Sequence, residues 1–208
     1  MTAKTRLLAS DLTTPSLLDS TKISAFCFPV GITTPTVKEI RLAADCFVQV
    51  IDIENLSRSR WEQIDELEAI ERGEQTRGRE VIRLPVGGEG DEDGEERASA
   101  RPSEATARPQ AQPVGSAKTA THRLVLQDSK GQKVYGLELV RLPEIAMGTL
   151  SIGAKILLKK GTVVARGNVL LHPKNVQCLG GKIEAWHKAW LEGRLARLKE
   201  VIAAGSQE

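Results

Sequence analysis

Gly153-Ala-Lys-Ile-Leu-Leu-Lys-Lys-Gly161 and Leu171-His-Pro-Lys-Asn-Val-Gln-Cys-Leu-Gly-Gly181 bracket the stretch that decides the fold, residues 153–181. Two short apolar runs, Ile156–Leu158 and Val169–Leu171, flank the turn signals Lys160-Gly161 and Arg166-Gly167-Asn168. Runs this short between glycine-containing turns read as strands, because a helix needs a longer periodic pattern. Pro173 and the pair Gly180-Gly181 close the unit, and a helical pattern begins immediately afterwards. The stretch therefore reads as the last hairpin of a small β-barrel, followed by a C-terminal helix.

Outward from it, residues 182–203 carry Ile183, Trp186, Trp190, Leu195, Leu198 and Ile202 at roughly helical spacing. Lys182, Lys188, Arg194, Arg197 and Lys199 fall on or near the other face, which reads as solvated surface. Upstream, His122–Asp128 is a strand and Ser129-Lys130-Gly131 a tight turn, and Lys133–Arg141 returns as a second strand. Alternation puts Tyr135, Leu137 and Leu139 on one face and Gly136 and Glu138 on the other. Leu142–Leu150 reads as a short helix or 3₁₀ turn at the barrel mouth. Residues 43–53 form a long strand, apolar on both faces and hence central or covered by a helix. Residues 59–72 read as a short helix: Ser59 and Glu62 make a capping box, and Gly73 supplies the stop. Trp61, Ile64, Leu67 and Ile70 form its stripe, so Trp61 is expected to pack on the barrel.

Residues 74–120 change character. Gly87–Glu96 is wholly Gly, Glu and Asp, and Pro102, Pro109 and Pro113 follow among Ala, Ser, Arg and Gln. Such a segment cannot bury enough apolar surface to offset its ordering entropy, so it reads as disordered. The strand at 43–53 has no evident sheet partners before it, and the remaining strands all follow residue 120. The segment is thus expected to be a loop inserted into one fold, since closure entropy grows only logarithmically with loop length. One island, Gly78–Val86, breaks its polarity with Val81, Ile82, Arg83 and Leu84. It reads either as an extra strand docked on its own barrel or as a partner-binding segment that orders on contact.

The bulk numbers narrow the chemistry. Among 208 residues, 29 Lys and Arg face 27 Asp and Glu, a net charge of +2, which is not the basic excess of a chain that lives on phosphate. Aromatics are 3% of the chain, few for a protein that stacks bases. Cys27, Cys46 and Cys178 lie far apart in apolar surroundings and read as buried thiols in a reducing compartment. His122, His172 and His187 show no metal-ligand spacing, and neither a P-loop nor a Gly-x-Ser-x-Gly motif occurs. Tyr135, the one tyrosine, sits among apolar neighbours with no legible basic pocket to make it a nucleophile. No secretory signal and no apolar run long enough to span a bilayer is visible. The expectation is a binding protein without cofactor or catalysis. The aliphatic strand faces suit a protein partner better than a single strand of nucleic acid.

Gly153-x-Lys155-Ile-Leu-Leu and Leu170-Leu-x-Pro173-x-Asn175-Val-x-x-Leu179-Gly-Gly together resemble the OB-fold domain of the RecQ-mediated genome instability protein 1 family. The likeness is good over 121–181, looser over about 7–73, and faint over 74–120. It implies a mainly β fold with flanking helices: a single five-stranded OB barrel over 36–204, with the disordered 74–120 loop between its first two strands and a C-terminal helix. Residues 1–35 would be a lead-in, the remnant of a helical bundle. The resemblance further implies a nuclear, non-catalytic subunit that binds a type IA topoisomerase, topoisomerase III, and acts with a RecQ-family helicase. Its expected work is decatenation and dissolution of double Holliday junctions in homologous recombination and DNA repair, with DNA contact weak or indirect. The inserted loop would reach the topoisomerase gate and bias its opening. Val81, Ile82, Arg83 and Leu84 in the loop, and Lys155 in the matching Gly-x-Lys-Ile motif, are the expected partner-binding residues; for Lys155 the plain alternative is a solvated strand-end lysine. A stand-alone single-strand-binding OB protein is the other reading.

Overall fold

The computed structural model describes residues 2–73 and 120–205. Eight strand segments form one sheet: β1 (Ile40–Arg41), β2 (Cys46–Asn55), β3 (His122–Asp128), β4 (Lys133–Glu138), β5 (Lys155–Leu158), β6 (Val163–Ala165), β7 (Asn168–Leu171) and β8 (Val176–Gly180), in the order β1-β6-β7-β4-β3-β2-β5-β8. All pairings are antiparallel except β4 with β7. Eight segments stand where five strands were expected. Part of the difference is a matter of breaks: β5 and β6, and likewise β7 and β8, are separated only by short turns. Those turns also bring the two ends of the ladder back together, so the sheet wraps around a core.

β2 pairs with β3 from Val48↔Asp128 to Asn55↔His122, although residues 74–119 separate them in the chain. The intervening segment is therefore spliced between neighbouring strands of one sheet, as the sequence implied; its expected disorder lies outside the described residues. Strict alternation along β3 turns Leu124 and Leu126 inward and Arg123, Val125 and Gln127 outward. Both inward leucines are fully buried, in one cluster with Val48, Val50, Ile156, Leu158, Val169 and Leu171. Each such side chain contributes roughly 1.5–3 kcal/mol of burial. A register shift between Val50 and Asp52 bulges β2 and turns Asp52 and Glu54 outward, while Ile53 stays buried.

The flanking helices are α1 (Ala3–Leu8), α2 (Ser20–Ile23), α3 (Arg60–Glu71), α4 (Glu184–Glu192) and α5 (Arg194–Gly205). Helix α3 begins with the expected capping box: Glu62 N donates to Ser59 Oγ, and Ser59 N donates to the Glu62 carboxylate. Only one edge of its stripe reaches the interior. Ile64 is buried, but Trp61 is 64% exposed, so Trp61 does not pack on the barrel as expected. A repeat of three drifts around a 3.6-residue helix and leaves its first member outside. The single C-terminal helix expected over 182–203 is two helices, interrupted at Gly193, a poor helix former. Leu142–Leu150 is a chain of turns, not a helix. The lead-in contributes Leu12, Phe28 and Ile32, all buried.

Candidate protein-interaction face

Lys155 departs most from its expected role. It is 4% exposed, and its ammonium donates to the Gly153 carbonyl at 2.6 Å. Burial pulls its pKa down to about 8, against the attraction of Asp11. It is neither a solvated strand-end lysine nor a surface that a partner can reach in this conformation; it braces the turn that opens β5. Val81, Ile82, Arg83 and Leu84 lie outside the described residues.

The motif around Lys155 is a packing device. Gly153 has φ +84, and a β-carbon there would meet Ile183 N at 2.6 Å, so only glycine lets the chain into α4 pass this close. Gly153 N donates to Val50 O at 2.7 Å, and Ile183 N donates to Ile152 O at 3.1 Å. Asn175 builds the turn between β7 and β8. Its Oδ1 accepts from His172 N at 2.9 Å, and its Nδ2 donates to Leu170 O at 3.1 Å.

What the barrel offers outward is the face of β3 and β4. Tyr135 is 48% exposed and Leu139 62%, with Leu137 between them and half-buried. The register sets Arg123 opposite Leu137 and Val125 opposite Tyr135, and across the parallel pair it sets Leu137 opposite Leu170. The Arg123 guanidinium lies 4.9 Å from the Tyr135 ring centre. Beside it, Val125, Lys133, Tyr135, Arg166 and Asn168 line a hollow of about 290 Å³. An aromatic anchor flanked by aliphatic side chains and by the guanidiniums of Arg123 and Arg166 is the composition of a protein contact. Base stacking would need several such rings, and this face has one. Alternation along Lys133–Arg141 grouped Tyr135, Leu137 and Leu139, but no local pattern told that side from the buried one.

Under this face lies a buried carboxylate that is structural. Glu138 accepts from His122 Nδ1 at 2.9 Å, from Arg141 at 2.8 Å and from Leu142 N at 2.9 Å. Burial alone would raise the Glu138 pKa; these hydrogen bonds outweigh it and hold the carboxyl below its usual range. Burial likewise pushes the Cys46 thiol far up and the Cys178 thiol up to about 12, so neither is a nucleophile. All three cysteines are free thiols; Cys46 is buried, while Cys27 and Cys178 are half-buried. Among the described residues, no group of His, Cys, Asp and Glu could hold a metal ion, and no helix is long and apolar enough to cross a membrane.

Comparison with known proteins places this geometry. The model of the family described as RMI1, N-terminal OB-fold domain, matches residues 28–194. RecQ-mediated genome instability protein 1 of Schizosaccharomyces pombe is 32% identical over 156 residues, which cover 75% of this chain and 63% of that protein. The chain thus matches less than two thirds of its relative's length.

Proposed function

Because the chain belongs to the RecQ-mediated genome instability protein 1 family, we propose that it is a non-catalytic accessory subunit that binds topoisomerase III. With a RecQ-family helicase it promotes decatenation and dissolution of recombination intermediates in the nucleus. One observation carries the reading. The chain re-enters the sheet at His122 after residues 74–119, and the next residue, Arg123, lies over Tyr135 at the head of the aliphatic face. The insertion and the face would therefore meet the same partner: the face as a dock, the insertion as an arm toward the gate. Such an arm shifts the gate only by its differential affinity for the open and closed states.

The test removes residues 76–118. The shortened chain is expected to fold and to bind topoisomerase III through the β3–β4 face, but to lose stimulation of decatenation. Undiminished stimulation would remove the gate arm from the reading, and failure of the intact chain to bind topoisomerase III would remove the partner. A stand-alone single-strand binder would instead show tight oligonucleotide binding that falls steeply with salt.

A further inference from the structure

A second surface lies on the side of the barrel covered by α3, α4 and α5. There a cleft of about 270 Å³ opens between the bulged end of β2 and the two C-terminal helices. Its composition is not that of ordinary solvated surface. Four guanidiniums, from Arg60, Arg123, Arg194 and Arg197, meet two carboxylates, from Asp52 and Glu54. Glu54 is shared by Arg60 and Arg123. Asp52 accepts from the Trp190 indole at 2.5 Å.

Arg194 and Arg197 are left over. Each lies over the Trp190 ring, at 5.7 and 5.8 Å from its centre. Their hydrogen bonds go to neutral oxygens: Arg194 to Gln63 Oε1 at 3.3 Å, and Arg197 to the Trp190 carbonyl at 2.8 Å. The acid that attracts Arg194 from α3, Glu66, is itself bonded to Arg58. Burial lowers the Arg194 pKa, and the neighbouring Arg197 adds to it, against the attraction of Glu66 and Asp52.

The floor decides which anion the cleft suits. Ile53, Met147, Leu198 and Val201 line it with apolar surface. A phosphodiester backbone gains nothing from such a floor. Base stacking on Trp190 is also pre-empted, because the two arginines lie over the ring and His187 stacks on it at 6.3 Å. A peptide that sets an acidic side chain beside a large apolar one satisfies both halves. The acid pairs with the unmatched guanidiniums as a fork, and the apolar side chain covers the floor.

We propose that this cleft is a docking site for an acidic, apolar segment of a partner protein, with Arg194 and Arg197 as its charge anchors and Trp190 as the plate that orients them. The site shares Arg123 with the β3–β4 face, but its anchors, Arg194 and Arg197, lie outside that face, and it stands whether or not the gate reading does.

The test is an NMR titration of the full chain with three probes: a short peptide mixing Asp and Glu with Leu and Phe, the same peptide with Lys replacing every acid, and an oligothymidylate. The acidic peptide is expected to shift the Trp190 indole signal and the Nε signals of Arg194 and Arg197, less so at high salt. The Lys peptide and the oligonucleotide are expected to leave them unmoved. Arg197→Gln should weaken the acidic peptide about tenfold, the loss of one charge-assisted contact, with an unchanged melting temperature. Silence of these signals toward the acidic peptide overturns the proposal, as does equal movement by the Lys peptide. Movement by the oligonucleotide at lower concentration would make the cleft a nucleic-acid site instead.

Discussion

Lys155 is a buried ammonium tied to one carbonyl, and its titration is a handle on that cost. Its folded pKa is about 8, against 10.5 for an ordinary lysine. Below pH 8 the side chain is charged in both folded and unfolded chains, and the full penalty of burying the charge is present. Between pH 8 and 10.5 the unfolded chain holds the proton more tightly, so the penalty fades and stability from this group rises with pH. Lys155→Met lacks this rise. Its stability relative to the parent is expected to fall by up to about 3 kcal/mol across that window, measured by urea denaturation at matched pH values. A constant difference would show that the ammonium is better solvated than its surroundings suggest. Glu138 is the opposite case, because its hydrogen bonds more than offset its burial. Glu138→Ala leaves the buried His122 ring and the His122 and Leu142 amides without this acceptor and should cost at least about 1–3 kcal/mol, read from the same denaturation curves.

Turns are where the strands and helices of this barrel are specified most sharply. Gly153 and Gly73 both have positive φ, at +84 and +72, yet a β-carbon meets Ile183 at Gly153 and nothing within 4 Å at Gly73. Gly73→Ala at the end of α3 is expected to cost about 1–2 kcal/mol, the left-handed backbone penalty alone. Gly153→Ala adds a clash with backbone and should cost clearly more, with the shift in urea midpoint as the measure. Equal costs would mean that the α4 junction yields easily. Asn175 and Gly153 show what makes residues 153–181 distinctive as sequence: they shape turns and close passages, which tolerate few residue types. The same logic explains where helix patterns misled. The step of three in α3 carries no mark of which end faces the core, and Trp61 proved to be outside. The basic face of the C-terminal helices looked solvated because the carboxylates and tryptophan that frame Arg194 and Arg197 are brought together from β2, α3 and α4 only by folding.

Taken together, the lead-in and the barrel are joined by buried polar contacts. Gln49 is fully buried; its Oε1 accepts from Leu12 N at 3.0 Å, and its Nε2 donates to Asp11 at 2.6 Å. Asp128, also fully buried, accepts from Phe28 N at 3.0 Å. Gln49→Ala leaves the Leu12 amide without this acceptor and should cost about 1–3 kcal/mol. It should also make residues 9–19 a preferred site of limited proteolysis; protection equal to the parent would show that apolar packing alone holds the lead-in. Neither clamp was legible beforehand, because a glutamine in a strand carries no sign of a partner 37 positions away. From residue order alone came strands β2, β3, β4, β5 and β7, the capped helix, the place of residues 74–119 between paired strands and the family, since alternation, caps and glycine turns are local and leave local marks; β1, β6 and β8, and the pairing of β5 with β8 and of β6 with β7, came only with the fold. Which face of β4 meets solvent, that Lys155 points inward, and that four arginines share one cleft were settled by the folded chain, because burial and charge pairing are properties of surfaces that distant segments make together.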